Sequence, residues 1–201
     1  MITFVIATGN AHKFAEMARI LRPLAIKAVS GKDIGKPLSS VEETGATFEE
    51  NALLKAKAAV KETGLPAVAD DSGLCVDALG GAPGVYSARY GGEGASDEER
   101  IEKLLYELRD VPKSARSARF VCAIACALPD GRAMTVRGEC EGEIAEEPSG
   151  GGGFGYDPVF MTEHGGFAEL SPEKKDAVSH RGTALRKLSE ELPHFLGDTE
   201  K

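Results

Sequence analysis

An α/β protein with a mixed β-sheet is the fold class this sequence predicts, and three observations predict it. Strand-like apolar runs alternate with helical patterns early in the chain, as strands joined by helices do. A long hairpin follows, turning at Pro129-Asp130-Gly131, and adds antiparallel neighbours. No repeat recurs, and no linker is polar enough to separate independent domains, so residues 1–201 are expected to form one domain, at most drawn out into two lobes.

Thr3 to Ala7 reads as a buried strand that breaks at Thr8-Gly9-Asn10. Phe14, Met17, Ala18 and Leu21 follow at the spacing that buries one helical stripe, and Pro23 ends the helix. Ile26 to Val29 suits a second strand, whereas Ser30 to Ala46 has no period and reads as a loop. Thr47 and Glu50 make a capping box, so a helix starts there and runs through Asn51, Lys55 and Val60 to a glycine near Gly64. Pro66 opens a short strand, Ala67 to Ala69, expected to terminate in Asp70-Asp71-Ser72-Gly73. An apolar segment, Leu74 to Leu79, leads into the turn-rich GGAPGVYSARYGGEG. Ser96 and Glu99 form a second capping box, followed by the stripe Ile101, Leu104, Leu105 and Leu108 and stopped by Pro112. From Ala118 to Leu128 the larger apolar residues hold the even positions and mostly alanines the odd ones, a strand covered on both faces. Ala133 to Ile144 returns as one or two strands, Pro158 to Met161 is a short one, and a final helix carries Leu185, Leu188 and Leu192.

Composition narrows the function. Hydrophobic residues at 42% and charged residues at 28% make an ordinary globular mixture. No apolar run approaches the roughly 18 residues a spanning helix needs. MITFVIATGN lacks a basic lead-in and a cleavage site, so it reads as a first strand, and a cytoplasmic protein is expected. A net charge of −8, no Trp and no basic run argue against a polymeric nucleic acid as partner. A few lysines in one place would still suffice for a single triphosphate. Cys75, Cys122, Cys126 and Cys140 form no CxxC pair and lie in apolar strand-like surroundings. Cys122 and Cys126 stand more than ~10 Å apart by strand rise, too far for a disulfide, which fits small core side chains in a reducing compartment.

Four segments carry candidate chemistry. Thr8-Gly9-Asn10-Ala11-His12-Lys13 is a strand-turn-helix junction where helix amides and a lysine ammonium converge, as in a phosphate cradle, although tight Gly-Asn turns are common and the Walker spacing is absent. Glu42-Glu43 and Asp70-Asp71 supply hard oxygen donors of the kind magnesium takes together with phosphate and water, or else an acidic turn. Gly150 to Pro158 matches GxGxxG formally, but no strand feeds it and no helix follows. Its Phe154, Tyr156 and Asp157 suit a loop that stacks on a base and orients it, and a plain flexible loop is the alternative. Lys174-Lys175 and Ser179-His180-Arg181-Gly182 precede the last helix, where they either cap and solvate or reach phosphate and base edges. His12, His164 and His194 lack a local constellation.

Taken together, ATGNAHKFAE, EETGATFEENALLKA, AVADDSGLCVDALGGAPGVYSARYGG, GGFGYDPVF and SPEKKDAVSHRGTAL resemble the inosine/xanthosine triphosphate pyrophosphatase family, in order and over almost the whole chain. The resemblance implies an elongated mixed sheet flanked by helices, two lobes with an active-site cleft between them, and a homodimer. It implies Mg2+-dependent hydrolysis of a purine nucleoside triphosphate, with no membrane and no nucleic-acid polymer as partner. Thr8, Gly9, Asn10, Ala11, His12 and Lys13 then match the triphosphate-binding turn, and Glu43 and Asp71 the metal ligands. Asp71 is the implied proton acceptor, with Asp70 beside it as the alternative. Asn51 and Lys55 match residues reaching the phosphates and Ser72 a substrate contact. Phe154, Gly155, Tyr156 and Asp157 match the base-stacking loop, and Lys175, His180 and Arg181 the nucleotide and base contacts. Ala11-His12 replaces a smaller pair such as Val-Gly found in some members. Two rivals remain, a pyrophosphatase of the septum-inhibition class acting on pyrimidine or modified nucleotides, and a sensor that binds without turnover.

Overall fold

Local capping decides where two of the helices begin. In the computed structural model, which describes residues 2–197, the Thr47 hydroxyl accepts the Glu50 amide at 3.2 Å while the Glu50 carboxylate accepts the Thr47 amide at 3.3 Å. Ser96 and Glu99 repeat the exchange at 3.2 and 2.7 Å. The elements in order are β1 (Ile2–Ile6), α1 (Ala11–Leu21), β2 (Ile26–Val29), α2 (Phe48–Thr63), β3 (Ala67–Val76), α3 (Asp97–Glu107), β4 (Ser117–Ala127), β5 (Ala133–Ile144), β6 (Phe160–Thr162), β7 (Gly165–Gly166), α4 (Pro172–Val178) and α5 (His180–Leu196). The strands make one mixed sheet in the order β2-β1-β3-β4-β5-β6-β7. β1 runs parallel to β2 and β3, with Val5 opposite Val29 on one side and Ala67 on the other, whereas β6 is antiparallel to β5 and β7.

The chain divides into two compact units, with boundaries inside β3, β4 and β5. The first holds Met1–Asp71, Cys122–Gly138 and Arg181–Lys201. Its core joins Phe4, Ile6, Val68, Cys122, Ile124, Cys126 and Leu128 from alternate strand positions to Met17 and Leu21 of α1 and Leu185, Leu188 and Leu192 of α5. The odd positions turn to the other face. In β3 and β4 they include the small residues Ala67, Ala69, Ala123 and Ala125, all buried, and α2 carries the equally small buried stripe Ala52, Ala56 and Ala59. The second unit holds Ser72–Val121 and Glu139–His180. Leu74, Val76, Ile101, Leu104, Leu108 and Ile144 pack there with Phe120, Phe160 and Phe167, whose ring centroids lie 4.6–5.7 Å apart.

Three expectations need correction. β3 does not stop at Ala69 but continues through both aspartates to Val76, because each carboxylate meets a cation from another element and the ladder survives. The short strand opening at Pro158 starts at Phe160, since Asp157–Val159 coils into a single 3-10 turn. α4 was not anticipated, although Ser171 capping the Lys174 amide and Pro172 in the first turn are ordinary start signals.

The four cysteines are thiols, and burial pushes the Cys126 thiol up to about 12 and Cys140 up to about 11. Thiolate is then scarce at pH 8, so iodoacetamide is expected to label partly exposed Cys75 well before either in the folded protein. Peptide mass spectrometry showing Cys126 labelled as fast as Cys75 would contradict this packing.

Candidate active site

The β1–α1 turn is folded by its own side chains. Thr8 Oγ1 accepts the Asn10 amide at 3.1 Å, and Asn10 Oδ1 caps α1 by accepting the amides of His12 at 2.9 Å and Lys13 at 3.1 Å. Two amides that the sequence aimed at phosphate are thus engaged by the cap. The Lys13 ammonium instead reaches across to Asp70 Oδ2 at 2.9 Å. Gly9, Ala11 and His12 stand exposed at the tip of the turn.

The adjacent acids of β3 point to opposite faces, as strand alternation requires. Their mutual repulsion, which looked costly in the sequence, is relieved in this way. Asp70 faces α1 and α5: beside Lys13, Arg181 brings Nη2 to 3.3 Å and Nε to 3.4 Å from its Oδ2. Arg181 Nη1 also binds Glu16 of α1, and its side chain is only 3% exposed. Burial works against this guanidinium's charge, but Asp70 and Glu16 more than compensate and raise its pKa. Glu16 had escaped notice because nothing local marks it; its partner lies 165 residues away.

Asp71 faces α2. Lys55 Nζ donates to Asp71 Oδ1 at 2.8 Å and to Glu43 Oε1 at 2.9 Å, so one ammonium bridges two carboxylates. Asn51, one turn earlier on α2, donates from Nδ2 to Asp71 Oδ2 at 3.2 Å and accepts the Gly45 amide on Oδ1 at 2.8 Å. It therefore ties the loop carrying Glu43 to the strand carrying Asp71. A Cβ on Gly45 would lie 2.7 Å from that same Asn51 oxygen, so the close approach needs glycine. Burial raises the Asp71 carboxyl above its ordinary value and Glu43 adds to this, while Lys55 and Asn51 oppose it. For Lys55 burial acts against the charge, but Asp71 and Asp70 outweigh it and the ammonium is held more tightly.

This donor set suits a small hard cation. Among the described residues no group of three or more His, Cys, Asp or Glu side chains is arranged to hold a metal. Magnesium does not require one: it takes one or two carboxylates and completes its shell with water and phosphate oxygens. Glu43 and Asp71 are two carboxylates already aimed at one positive charge, that of Lys55.

In the second unit, the glycine loop is pinned rather than loose. Asp157 Oδ2 accepts the Phe154 amide at 2.8 Å and the Lys175 ammonium at 2.6 Å, with both charged partners buried. Gly153 sits at φ +76°, and a Cβ there would lie 2.1 Å from the Asp157 carboxylate. The Gly155 amide donates to Asp97 Oδ2 of α3 at 2.6 Å. Phe154 is partly exposed, with Lys175 Nζ 5.0 Å from its ring centroid. Tyr156 is buried in the apolar core and its hydroxyl donates to the Ser87 carbonyl at 2.8 Å. His180 is also buried, its ring stacked on Phe120 at 4.7 Å and 12°. Ser72, next after Asp71 in β3, is partly exposed. Asp97 is a residue that sequence reasoning passed over, since only its neighbours Ser96 and Glu99 carried a local signal, that of a capping box.

Sheet order and site together define an α/β protein whose charged side chains converge on one strand, β3. The chain belongs to the Ham1 family, whose model matches residues 4–191. It is 52% identical over 192 residues to a dITP/XTP pyrophosphatase of Shigella flexneri, covering 94% of this chain and 96% of that one. It is 53% identical over 194 residues to the dITP/XTP pyrophosphatase of Geobacter sulfurreducens, covering 96% and 97%. A solved HAM1 protein from Coxiella burnetii superimposes with a TM-score of 0.87 at 47% identity, over 96% of this chain and 100% of that chain.

Proposed function

We propose that this protein is a nucleoside-triphosphate pyrophosphatase that hydrolyses the non-standard purine nucleotides ITP, dITP and XTP. The products are the nucleoside monophosphate and pyrophosphate, and the reaction keeps these bases out of DNA and RNA. Relatives at about half identity over nearly the full chain carry the name dITP/XTP pyrophosphatase, which supports the reaction and the substrate class. The structural observation that carries the reading is the bridging of Glu43 and Asp71 by Lys55, with Lys13 on Asp70 one residue away in β3.

Lys13 and Lys55 supply positive charge to the triphosphate as they leave or share their carboxylates. Mg2+, held by Glu43 and Asp71, would screen the phosphate oxygens and the charge growing on the leaving pyrophosphate. Asp71 accepts the proton from a water whose oxygen attacks the α-phosphorus in line; the bond from that phosphorus to the α–β bridging oxygen breaks. Asp70 is the weaker candidate, since it lies on the other face of the strand, turned toward Lys13 and Arg181 and away from Glu43. Asn51 fixes the Asp71 carboxylate against the Glu43 loop. Phe154 offers its ring to the base from a loop anchored on Asp157 and Lys175. His180 and Arg181 are the donors that the sequence offers for the 6-oxo edge of hypoxanthine and xanthine, where adenine carries an amino group.

A homodimer in a reducing, cytoplasmic setting belongs to the same reading. Four cysteine thiols support the reducing setting. Among the described residues no helix is long and apolar enough to cross a membrane.

Pyrophosphate release from a panel of inosine, deoxyinosine, xanthosine, adenosine, guanosine and thymidine triphosphates, with and without Mg2+, tests the proposal. Fast release confined to the first three and dependent on Mg2+ is expected. Turnover mainly of thymidine triphosphate would overturn the purine assignment, and no turnover of any would overturn the enzyme.

A further inference from the structure

Two carboxylates from different elements grip consecutive amides of the glycine loop. Asp157, within the loop, takes Phe154 N–H at 2.8 Å. Asp97, at the first position of α3, takes Gly155 N–H at 2.6 Å. The Phe154 Cα lies between these two fixed amides, so its ring has little backbone freedom left. Capping does not account for this use of Asp97. The Ser96 hydroxyl takes the Glu99 amide and the Glu99 carboxylate takes the Ser96 amide, which completes the capping box without Asp97. Asp97 Oδ1 is steadied by Arg100 Nη1 at 3.2 Å, one turn along the helix, and Arg100 is itself tethered to the Ala95 carbonyl at 2.6 Å. The Asp97 side chain remains 40% exposed, so no packing reason demands an acid there.

We infer that Asp97 is a positioning residue for the base-stacking loop: through the Gly155 amide it holds Phe154 in the orientation that receives the purine. This rests on the pyrophosphatase reading above and assigns to α3 a role in substrate selection. A charge-assisted hydrogen bond to a backbone amide is among the stronger single contacts a loop can have. Its loss frees the ring to sample orientations that binding must then select against.

The test compares wild type with Asp97→Ala, Asp97→Asn and Asp97→Glu, measuring kcat and KM for dITP and dGTP, thermal unfolding, and hydrogen exchange at the Gly155 amide. Asp97→Ala is expected to raise KM for dITP about tenfold, the size of one lost charge-assisted bond, while kcat changes little and the preference for dITP over dGTP narrows. Asp97→Asn keeps an oxygen acceptor at the same reach but loses the charge and the Arg100 pair, so its KM, preference and exchange protection are expected to lie between those of wild type and Asp97→Ala. Asp97→Glu keeps the charge and the Arg100 pair but overshoots the amide by a methylene, so it is expected to follow Asp97→Ala and reads the effect even if the alanine variant folds poorly. Wild-type KM and preference in both Ala and Glu variants would overturn the inference. So would a fall in kcat on both nucleotides in step with the melting temperature, which marks a merely structural role. Inactive wild-type enzyme would overturn the pyrophosphatase reading instead. The Asp97–Gly155 anchor would then stand or fall on whether exchange at Gly155 speeds up more in Asp97→Ala than in Asp97→Asn.

Discussion

Replacing Asp71 by asparagine is expected to lower turnover of dITP on the order of a thousandfold or more while the protein stays folded. Asparagine is nearly isosteric and keeps an acceptor for Lys55, while its amide nitrogen comes to face Asn51 Nδ2 and that one hydrogen bond is lost, too little to unfold the architecture around β3. What disappears is the negative charge, and with it the proposed proton acceptor and half of the carboxylate pair proposed to hold Mg2+. Lys55 retains Glu43 at 2.9 Å, which holds its ammonium in position. The informative comparison is Asp70→Asn, made on the other face of the same strand. That variant weakens the Lys13 and Arg181 pairs and is expected to cost stability before chemistry. Steady-state pyrophosphate release and thermal unfolding on both variants separate the two roles. If Asp71→Asn keeps turnover within about tenfold of wild type while Asp70→Asn abolishes it, the proton acceptor has been assigned to the wrong aspartate.

The same two aspartates show what was legible in the sequence. The capping boxes at Thr47 and Ser96 were legible because the groups that satisfy them lie within a few residues, and the strand Ile26–Val29 and the alanine face of β4 because their own apolar pattern marks them. The path of β3 does not. Asp-Asp is a poor strand sequence, and only cations on α1, α2 and α5 make it tolerable, the farthest of them 111 residues away. The candidate site behaves alike. Sequence motifs located Lys55, Asp157 and Lys175, but their pairing is long-range: Asp157 meets Lys175 across 18 residues and Lys55 meets Asp71 across 16. Tyr156 and His180 carried a functional expectation, yet both rings are buried against aromatic or apolar neighbours, a placement that no spacing announces.

Arg181 is where function and stability compete for one side chain. Its guanidinium is buried between Asp70 and Glu16, so Arg181→Met, which preserves length and removes the fork, leaves Glu16 facing no Arg181 and Asp70 relying on Lys13. Breaking a buried pair from one side costs about 3–5 kcal/mol, because the remaining charge is not rehydrated. For a chain of this size that corresponds to a fall in melting temperature of roughly 10 °C. Lysine is expected to recover only some of the loss, since its ammonium lacks the separated donors with which Arg181 reaches Asp70 through Nε and Nη2 and Glu16 through Nη1. Thermal unfolding of Arg181→Met and Arg181→Lys, read beside the dITP-to-dATP preference of each, decides which role dominates. A large drop in melting temperature with the preference intact makes Arg181 the counter-ion that holds Asp70 in β3 and leaves His180 as the donor to the oxo edge. An unchanged melting temperature with the preference lost makes Arg181 the base reader, which requires the guanidinium to leave Glu16 when substrate arrives. The geometry favours the first result, because an arginine committed to two acids gains no charge partner by turning toward a neutral base.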